Sequence, residues 1–314
     1  MKVGIIGCGL VGATSAYAMV MKKAASEIVL IDSNEKRALA EAADIQHSIP
    51  FTHPTNVYAG NYEDLKGAKI IVIAAGASQK PGESRLMLFE RNASILNEII
   101  PKTIQVTPNA VFLIATNPVD IITHISAKIA VEHGIPYSHV IGLGTTLDTA
   151  RFRSLLGTHV GVDPQHVHAY VIGEHGDSEV LCWSNIEIGG IPIEDFIEFR
   201  NVEFNEKIKQ EIDNDARNAA YKIIEGKGST YYGIGAAIAK LVDTINRDNR
   251  AVTTVSTINQ DVEGIKDVTL SLPHLIGGDG DLGTLPLRLS VKEKSLLKKS
   301  ALIIKEIIDE YERK

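Results

Sequence analysis

Three stretches of this chain place charge where a fold has little structural use for it. In Leu147-Asp148-Thr149-Ala150-Arg151-Phe152-Arg153, Asp148 and Arg151 stand three residues apart, so on a helix they share a face. In Gly173-Glu174-His175-Gly176-Asp177-Ser178-Glu179, a histidine lies between glycines just after an apolar run. Imidazole titrates near neutral pH, so a histidine held in this way can take up or release a proton during a reaction. The third stretch, Ser78 to Arg85, is polar, carries the turn Pro81-Gly82 and has the composition of a closing loop. Each has a bland reading when taken alone: a surface ion pair, a structural histidine, an ordinary loop.

A fourth stretch supplies a context. Gly7-Cys8-Gly9-Leu10-Val11-Gly12 follows the apolar run Val3-Gly4-Ile5-Ile6, precedes an alanine-rich segment, and stands 20 residues ahead of Asp32. Gly7 permits a tight turn, Gly9 lets backbone approach a pyrophosphate, and Gly12 allows close packing of helix on strand. The following helix N-terminus offers free N–H groups and partial positive charge to the phosphates. Asp32 would accept hydrogen bonds from ribose hydroxyls and repel a 2′-phosphate, which points to NAD rather than NADP. A glycine-rich turn without a ligand is the competing reading, and the agreement of glycines, strand, helix and acid argues against it.

The elements that position these residues alternate. Val3–Ile6, Glu27–Ile31, Asn56–Ala59, Lys69–Ala75, Val111–Ala115 and Val140-Ile141 read as strands, separated by helices at Leu10–Lys22, Asn34–His47, a long segment ending near Pro101 to Pro108, and one opened by Thr116–Asp120 with Pro118 in its first turn. This spacing predicts an α/β fold with a doubly wound parallel sheet. After about Gly142 the pattern becomes α+β. Asp148–Leu156 reads as a helix and His166–Ile172 as a strand, followed by helices over Val202–Glu225 and Thr230–Asn246. Ala251–Ile258, Asp267–Leu272 and Leu285–Leu289 read as antiparallel strands, before a last helix from Val291 to about Arg313.

Bulk properties narrow the function classes. The 314 residues suggest two domains, and a net charge of −7 argues against a surface for DNA or RNA. Apolar runs such as Ile70–Ala75 are too short to cross a bilayer. The two cysteines, Cys8 and Cys182, have neither metal-ligand spacing nor a disulfide framework, so no metal is expected. With a first strand starting at Val3, no room remains for a signal peptide, and the expected location is cytoplasmic.

Gly7–Gly12, Asp32, Gln79–Arg85, Thr116–Asp120, Asp148–Arg151, Gly173–Asp177 and Ser229-Thr230-Tyr231-Tyr232-Gly233 occur in an order that resembles the L-lactate/malate dehydrogenase family. The resemblance covers almost the whole chain and is strongest to the bacterial, allosteric type of L-lactate dehydrogenase. It implies an N-terminal Rossmann domain over 1–143, a C-terminal α+β substrate domain over 144–314, and a homotetramer interconverting pyruvate and (S)-lactate in glycolysis and fermentation. By matching motif, His175 would be the proton donor and acceptor, Asp148 its orienting carboxylate, Arg151 the anchor of the substrate carboxylate, and Arg85 the group polarising the carbonyl. Asn117 and Thr230 would line the substrate site. Leu10, Val11, Gly76, Ala77, Thr116, Asn117 and Ile234 would join Gly7, Gly9, Gly12 and Asp32 around NAD.

Substrate choice falls on Gln79. Malate dehydrogenases of the family carry arginine there, to pair with the second carboxylate of oxaloacetate. Neutral glutamine leaves that carboxylate desolvated and unpaired, which favours pyruvate. Longer 2-hydroxy acids and a non-catalytic NAD-binding role are the alternatives. Leu143 departs from the family pattern, since many lactate dehydrogenases have serine there, and one hydrogen bond near the nicotinamide would be missing. Arg153 and His168 match the positions at which allosteric members bind fructose 1,6-bisphosphate between subunits. His166 and His168 lack a third metal ligand.

Overall fold

The computed structural model describes residues 1–77 and 85–313, without the side chains of Arg85 and Leu86. Six strands form the parallel part: β1 (Lys2–Ile6), β2 (Glu27–Ile31), β3 (Asn56–Ala59), β4 (Ile70–Ile73), β5 (Val111–Ile114) and β6 (Val140–Gly142). Helices α1 (Leu10–Lys22), α2 (Glu35–His47), α3 (Arg85–Val106) and α4 (Val119–Glu132) connect them. Strand order runs β3-β2-β1-β4-β5-β6, so chain direction across the sheet reverses between β1 and β4. A crevice opens at such a reversal, at the carboxyl ends of the strands, because the connecting helices leave to opposite faces.

Burial explains the uninterrupted apolar strands. In β4, Ile70 and Val72 enter one hydrophobic core while Ile71 and Ile73 enter the other, and all four are fully buried. A strand covered on both faces has no polar side to alternate with.

The second half begins with α5 (Thr146–Val160) and the short strands β7 (Val167–His168), β8 (Val171–Ile172), β9 (Val180–Leu181), β10 (Glu187–Ile188) and β11 (Ile191–Pro192). It continues with α6 (Ile193–Arg200), α7 (Glu206–Lys227), α8 (Tyr232–Asn246), β12 (Ala251–Val262), β13 (Ile265–Gly277), β14 (Gly280–Thr284) and α9 (Val291–Glu312). The last three strands are antiparallel, as the alternation implies. They do not stand apart from the first sheet, because β12 pairs with β6 through Ser256 and Gly142. The result is one nine-stranded sheet among the described residues, ending in β12-β13-β14.

Several expectations need correction. His166–Ile172 is not one strand, because β7 pairs with β10 while β8 pairs with β9, and the ladder is interrupted at Ala169 and Tyr170 between them. Leu285–Leu289 is not a strand. Pro286 offers no N–H to a ladder, and the third strand of this group lies earlier, at β14. Pro118 follows a cis peptide bond from Asn117 and caps α4, so it precedes the first turn instead of lying in it. Helix α6 escapes the sequence reading, being only eight residues long.

Truncating either face of β4 should cost comparable stability. Ile70→Ala and Ile71→Ala are each expected to lower unfolding free energy by about 2–5 kcal/mol in denaturant titrations. A loss confined to one of the two would show that one core dominates.

Candidate active site

The glycine turn leaves β1 at the sheet reversal. Gly7 has φ +101°, and a Cβ there would lie 2.3 Å from the Ala75 nitrogen beyond β4. At Gly12 a Cβ would approach the Gly7 carbonyl oxygen to 1.9 Å, so α1 packs directly on the turn. Gly9 differs, since nothing lies within 4 Å of where its Cβ would be. It caps α1, whose N-terminus has neither a capping side chain nor an acidic residue in its first turn. Those N–H groups face a groove of about 900 Å³ lined by Gly7, Gly9, Leu10, Val11, Asp32 and, from far along the chain, Thr230. Open backbone beside uncapped N–H groups fits a pyrophosphate.

Asp32 is fixed by backbone. Its Oδ2 accepts the Cys8 N–H at 2.7 Å and its Oδ1 the Asn34 N–H at 2.9 Å, which leaves lone pairs on both oxygens for ribose hydroxyls. Gly76 and Ala77 also line the groove. Thr116 is buried and donates its hydroxyl to the Ala75 carbonyl, so it ties neighbouring strand ends together. Ile234 on α8 is half-buried and packs against the core under α1. Leu143 is fully packed into that core, which explains an apolar side chain at this position.

The sequence gives no pattern for the far end of the groove, where Arg37, Tyr62, Glu98, Ile99 and Lys102 converge. Another residue without a sequence signal is Asn92, almost fully buried on α3. It accepts the Ala77 N–H at 2.8 Å and donates to the Asn117 carbonyl at 2.7 Å, tying the exits of β4 and β5 together.

The charged residues of the second half do meet. Helix α5 presents Asp148 and Arg151 on one face, and the loop after β8 brings His175 to them. Asp148 Oδ2 accepts from His175 Nδ1 at 2.6 Å, and Oδ1 accepts from Arg151 Nη1 at 2.6 Å. A carboxylate only accepts, so Nδ1 carries the proton and Nε2 is the nitrogen left for substrate. The Asp148 side chain is 5% exposed and His175 30% exposed, so the acid is enclosed while the imidazole reaches open space. His175 and Asn117 line one cavity of about 420 Å³, together with Phe89, Ile121 and, from α9, Ile307 and Glu310.

Electrostatics follow from this geometry. Burial disfavours the imidazolium, but the charge and hydrogen bond of Asp148, helped by Asp120, outweigh it and push His175 up to about 9. Burial also opposes charge on Asp148, and His175 and Arg151 outweigh that, holding its carboxyl below the usual range. Glu179, buried nearby with Oε1 unpartnered, is pushed up to about 8 by burial and by the charge of Asp148. Gln79 and the side chain of Arg85 lie outside the described residues. Among the described residues no group of three or more side chains could hold a metal, and no helix is long and apolar enough to cross a membrane.

A dinucleotide crevice beside an acid–imidazole–guanidinium cluster defines the class of nucleotide-dependent oxidoreductases. Family comparison narrows the class. Residues 1–142 match the lactate/malate dehydrogenase NAD binding domain, and residues 145–314 match the lactate/malate dehydrogenase alpha/beta C-terminal domain. The chain belongs to the lactate/malate dehydrogenase family. It is 53% identical over 309 residues to an L-lactate dehydrogenase of Geotalea daltonii, covering 98% of this chain and 99% of the relative. It is 50% identical to that of Thermus aquaticus, covering 97% of each. Among solved structures it is similar to a minor L-lactate dehydrogenase of Enterococcus mundtii, with TM-score 0.93, 36% identity and coverage of 98% and 97%. It is also similar to a lactate dehydrogenase from a Medee basin deep-sea metagenome library, with TM-score 0.94, 38% identity and coverage of 98% of each chain.

The two glycines separate binding from folding. Gly9→Ala should leave the thermal midpoint unchanged and weaken NADH binding about tenfold or more by fluorescence titration, because its methyl would enter the phosphate space. Gly12→Ala should instead cost about 1–3 kcal/mol of stability through backbone overlap. Undiminished NADH affinity in Gly9→Ala would remove the pyrophosphate from this turn.

Proposed function

We propose that this chain is an NAD-dependent L-lactate dehydrogenase that interconverts pyruvate and (S)-lactate, with His175 as general acid and base. The observation that carries this reading is the enclosed Asp148 carboxylate binding His175 and Arg151 together. A non-catalytic NAD-binding protein has no need of that arrangement. NAD, when bound in the crevice, supplies or accepts the hydride. Residues 1–143 would hold it, with Asp32 at the ribose, and 144–314 would supply the acid–base group, while Thr230 reaches back into the groove.

In the reducing direction His175 enters as imidazolium and gives its Nε2 proton to the carbonyl oxygen of pyruvate, which becomes the hydroxyl of lactate. Asp148 fixes the tautomer and stabilises the charge before transfer. The guanidinium of Arg151, 15% exposed, has further N–H groups for the substrate carboxylate. Asn117, in the same cavity as His175, would meet the reacting oxygen. Arg85 would bring positive charge to that oxygen and help exclude water. Gln79 would select pyruvate by leaving a second carboxylate without a partner. A transition-state difference of about 4 kcal/mol corresponds to roughly a thousandfold in kcat/KM.

Fructose 1,6-bisphosphate is proposed as an effector at Arg153 and His168. Arg153 Nε donates to the carbonyl of Ala169 at 2.9 Å and its guanidinium stacks on Tyr170 at 5.3 Å. His168, the neighbour of Ala169 in the chain, is exposed, and an arginine and a histidine together could meet a phosphate. The homotetramer, the cytoplasmic setting and the place in glycolysis and fermentation follow from the family resemblance.

NADH oxidation with pyruvate and with oxaloacetate, each with and without fructose 1,6-bisphosphate, tests these roles together. Pyruvate should lead in kcat/KM, Gln79→Arg should move preference toward oxaloacetate, and the bisphosphate should lower the pyruvate concentration at half saturation. A wild-type preference for oxaloacetate would overturn the specificity assignment. The proton role has its own signature. His175 holds its proton up to about 9, so kcat/KM for pyruvate should stay level through neutral pH and fall above about 9, while that for lactate rises over the same range. A midpoint at ordinary histidine values would refute the coupling to Asp148.

A further inference from the structure

The reaction just described uses one carboxylate on His175, but a second one holds the same residue. Asp120, the second residue of α4, is 2% exposed. Its Oδ2 accepts the backbone N–H of His175 at 2.7 Å, and its Oδ1 accepts the Ser256 hydroxyl at 2.6 Å. Ser256 is fully buried on β12 at the point where that strand pairs with Gly142 of β6. The carboxylate therefore joins α4, the junction of the two sheet halves and the histidine loop.

We propose that Asp120 is a positioning residue for His175, fixing its backbone while Asp148 holds its ring. This rests on the reading of His175 as the acid–base group. The ring hydrogen bond fixes the imidazole to Asp148 but does not by itself fix the backbone of His175. Gly173 is anchored to Ser271 by two backbone hydrogen bonds and the Glu174 N–H to the Ser300 hydroxyl at 2.8 Å, and Asp120 supplies the anchor at the histidine itself. Both of its oxygens bond outside α4, so the acid is directed at the sheet junction and the histidine loop and not at its own helix. Burying a carboxylate is costly unless its partners are well placed, and these two donors saturate its strongest sites.

The charged groups around His175 are Asp148 and Arg151 from α5, Asp120 from α4, and Glu174, Asp177 and Glu179 from its own loop. Glu310 of α9 stands across the cavity. Burial pushes Asp120 up to about 6, against the bonds from Ser256 and from the His175 N–H. It is therefore ionised over the range in which His175 titrates, and its negative charge favours the imidazolium.

Asp120→Asn and Asp120→Ala separate anchoring from charge. The amide oxygen of asparagine can still accept the His175 N–H, and Ser256 can turn its hydroxyl to accept from the amide nitrogen. Asp120→Asn should keep kcat for pyruvate within about threefold at pH 6 but lower the alkaline midpoint by about half to one pH unit, since a favourable charge is lost. Asp120→Ala leaves a buried N–H and hydroxyl unpaired. It should lower kcat by roughly tenfold or more while NADH affinity stays unchanged. A wild-type midpoint in Asp120→Asn, with kcat per NADH-binding site also unchanged in Asp120→Ala, would overturn the proposal. If Asp120→Ala does not fold, Asp120→Asn decides by its midpoint. An NMR titration of the His175 ring without substrate, in wild type and Asp120→Asn, reads the same shift. It distinguishes failure of this proposal from failure of the pyruvate assignment, which would appear as no turnover by the wild type.

Discussion

The site depends on one buried carboxylate that serves two cations. Asp148 gives one oxygen to His175 and the other to Arg151, each at 2.6 Å, with little of its side chain exposed to water. An isolated carboxylate so placed would take up a proton to escape the cost of burial. Two donors hold it ionised, and its charge in turn holds the imidazolium. The same acid also aligns the guanidinium, so the imidazole of His175 and the guanidinium of Arg151 are positioned relative to each other by a shared partner.

The sheet makes that cluster useful by placing it beside the crevice. Reversal of strand direction between β1 and β4 opens the groove at the glycine turn, and Asn92 ties the exits of β4 and β5 at the border of the two sites. The second half is continuous with the first through β6 and β12. Asp120 and Ser256 lie at this seam, and so does the bond to the His175 backbone. His175 is thus braced against the same sheet that carries the glycine turn.

Legibility in the sequence follows the range of the interaction. The βα alternation, the glycine turn and the Asp148–Arg151 pair are local, with periods of two or three to four residues, and each can be read directly. Family resemblance linked His175 to Asp148 over 27 residues, which spacing alone could not do. Asp120 with His175, Asn92 with Asn117, and the distant lining of the groove carry no local period. Broken pairing in His166–Ile172 and the absence of a strand at Leu285–Leu289 had the same origin, because a strand is defined by its partner as much as by its own residues.

By itself the sequence determined the α/β alternation, the place of the glycine turn and the chemical types of side chain available to a site. These depend on side-chain chemistry and on contacts within a few residues. Tertiary structure decided that the last strands extend the first sheet, that one enclosed acid serves two cations, and that Asp120 reaches the backbone of His175. Those outcomes depend on which distant surfaces exclude water together, and burial is a property of the assembled chain that no single segment carries.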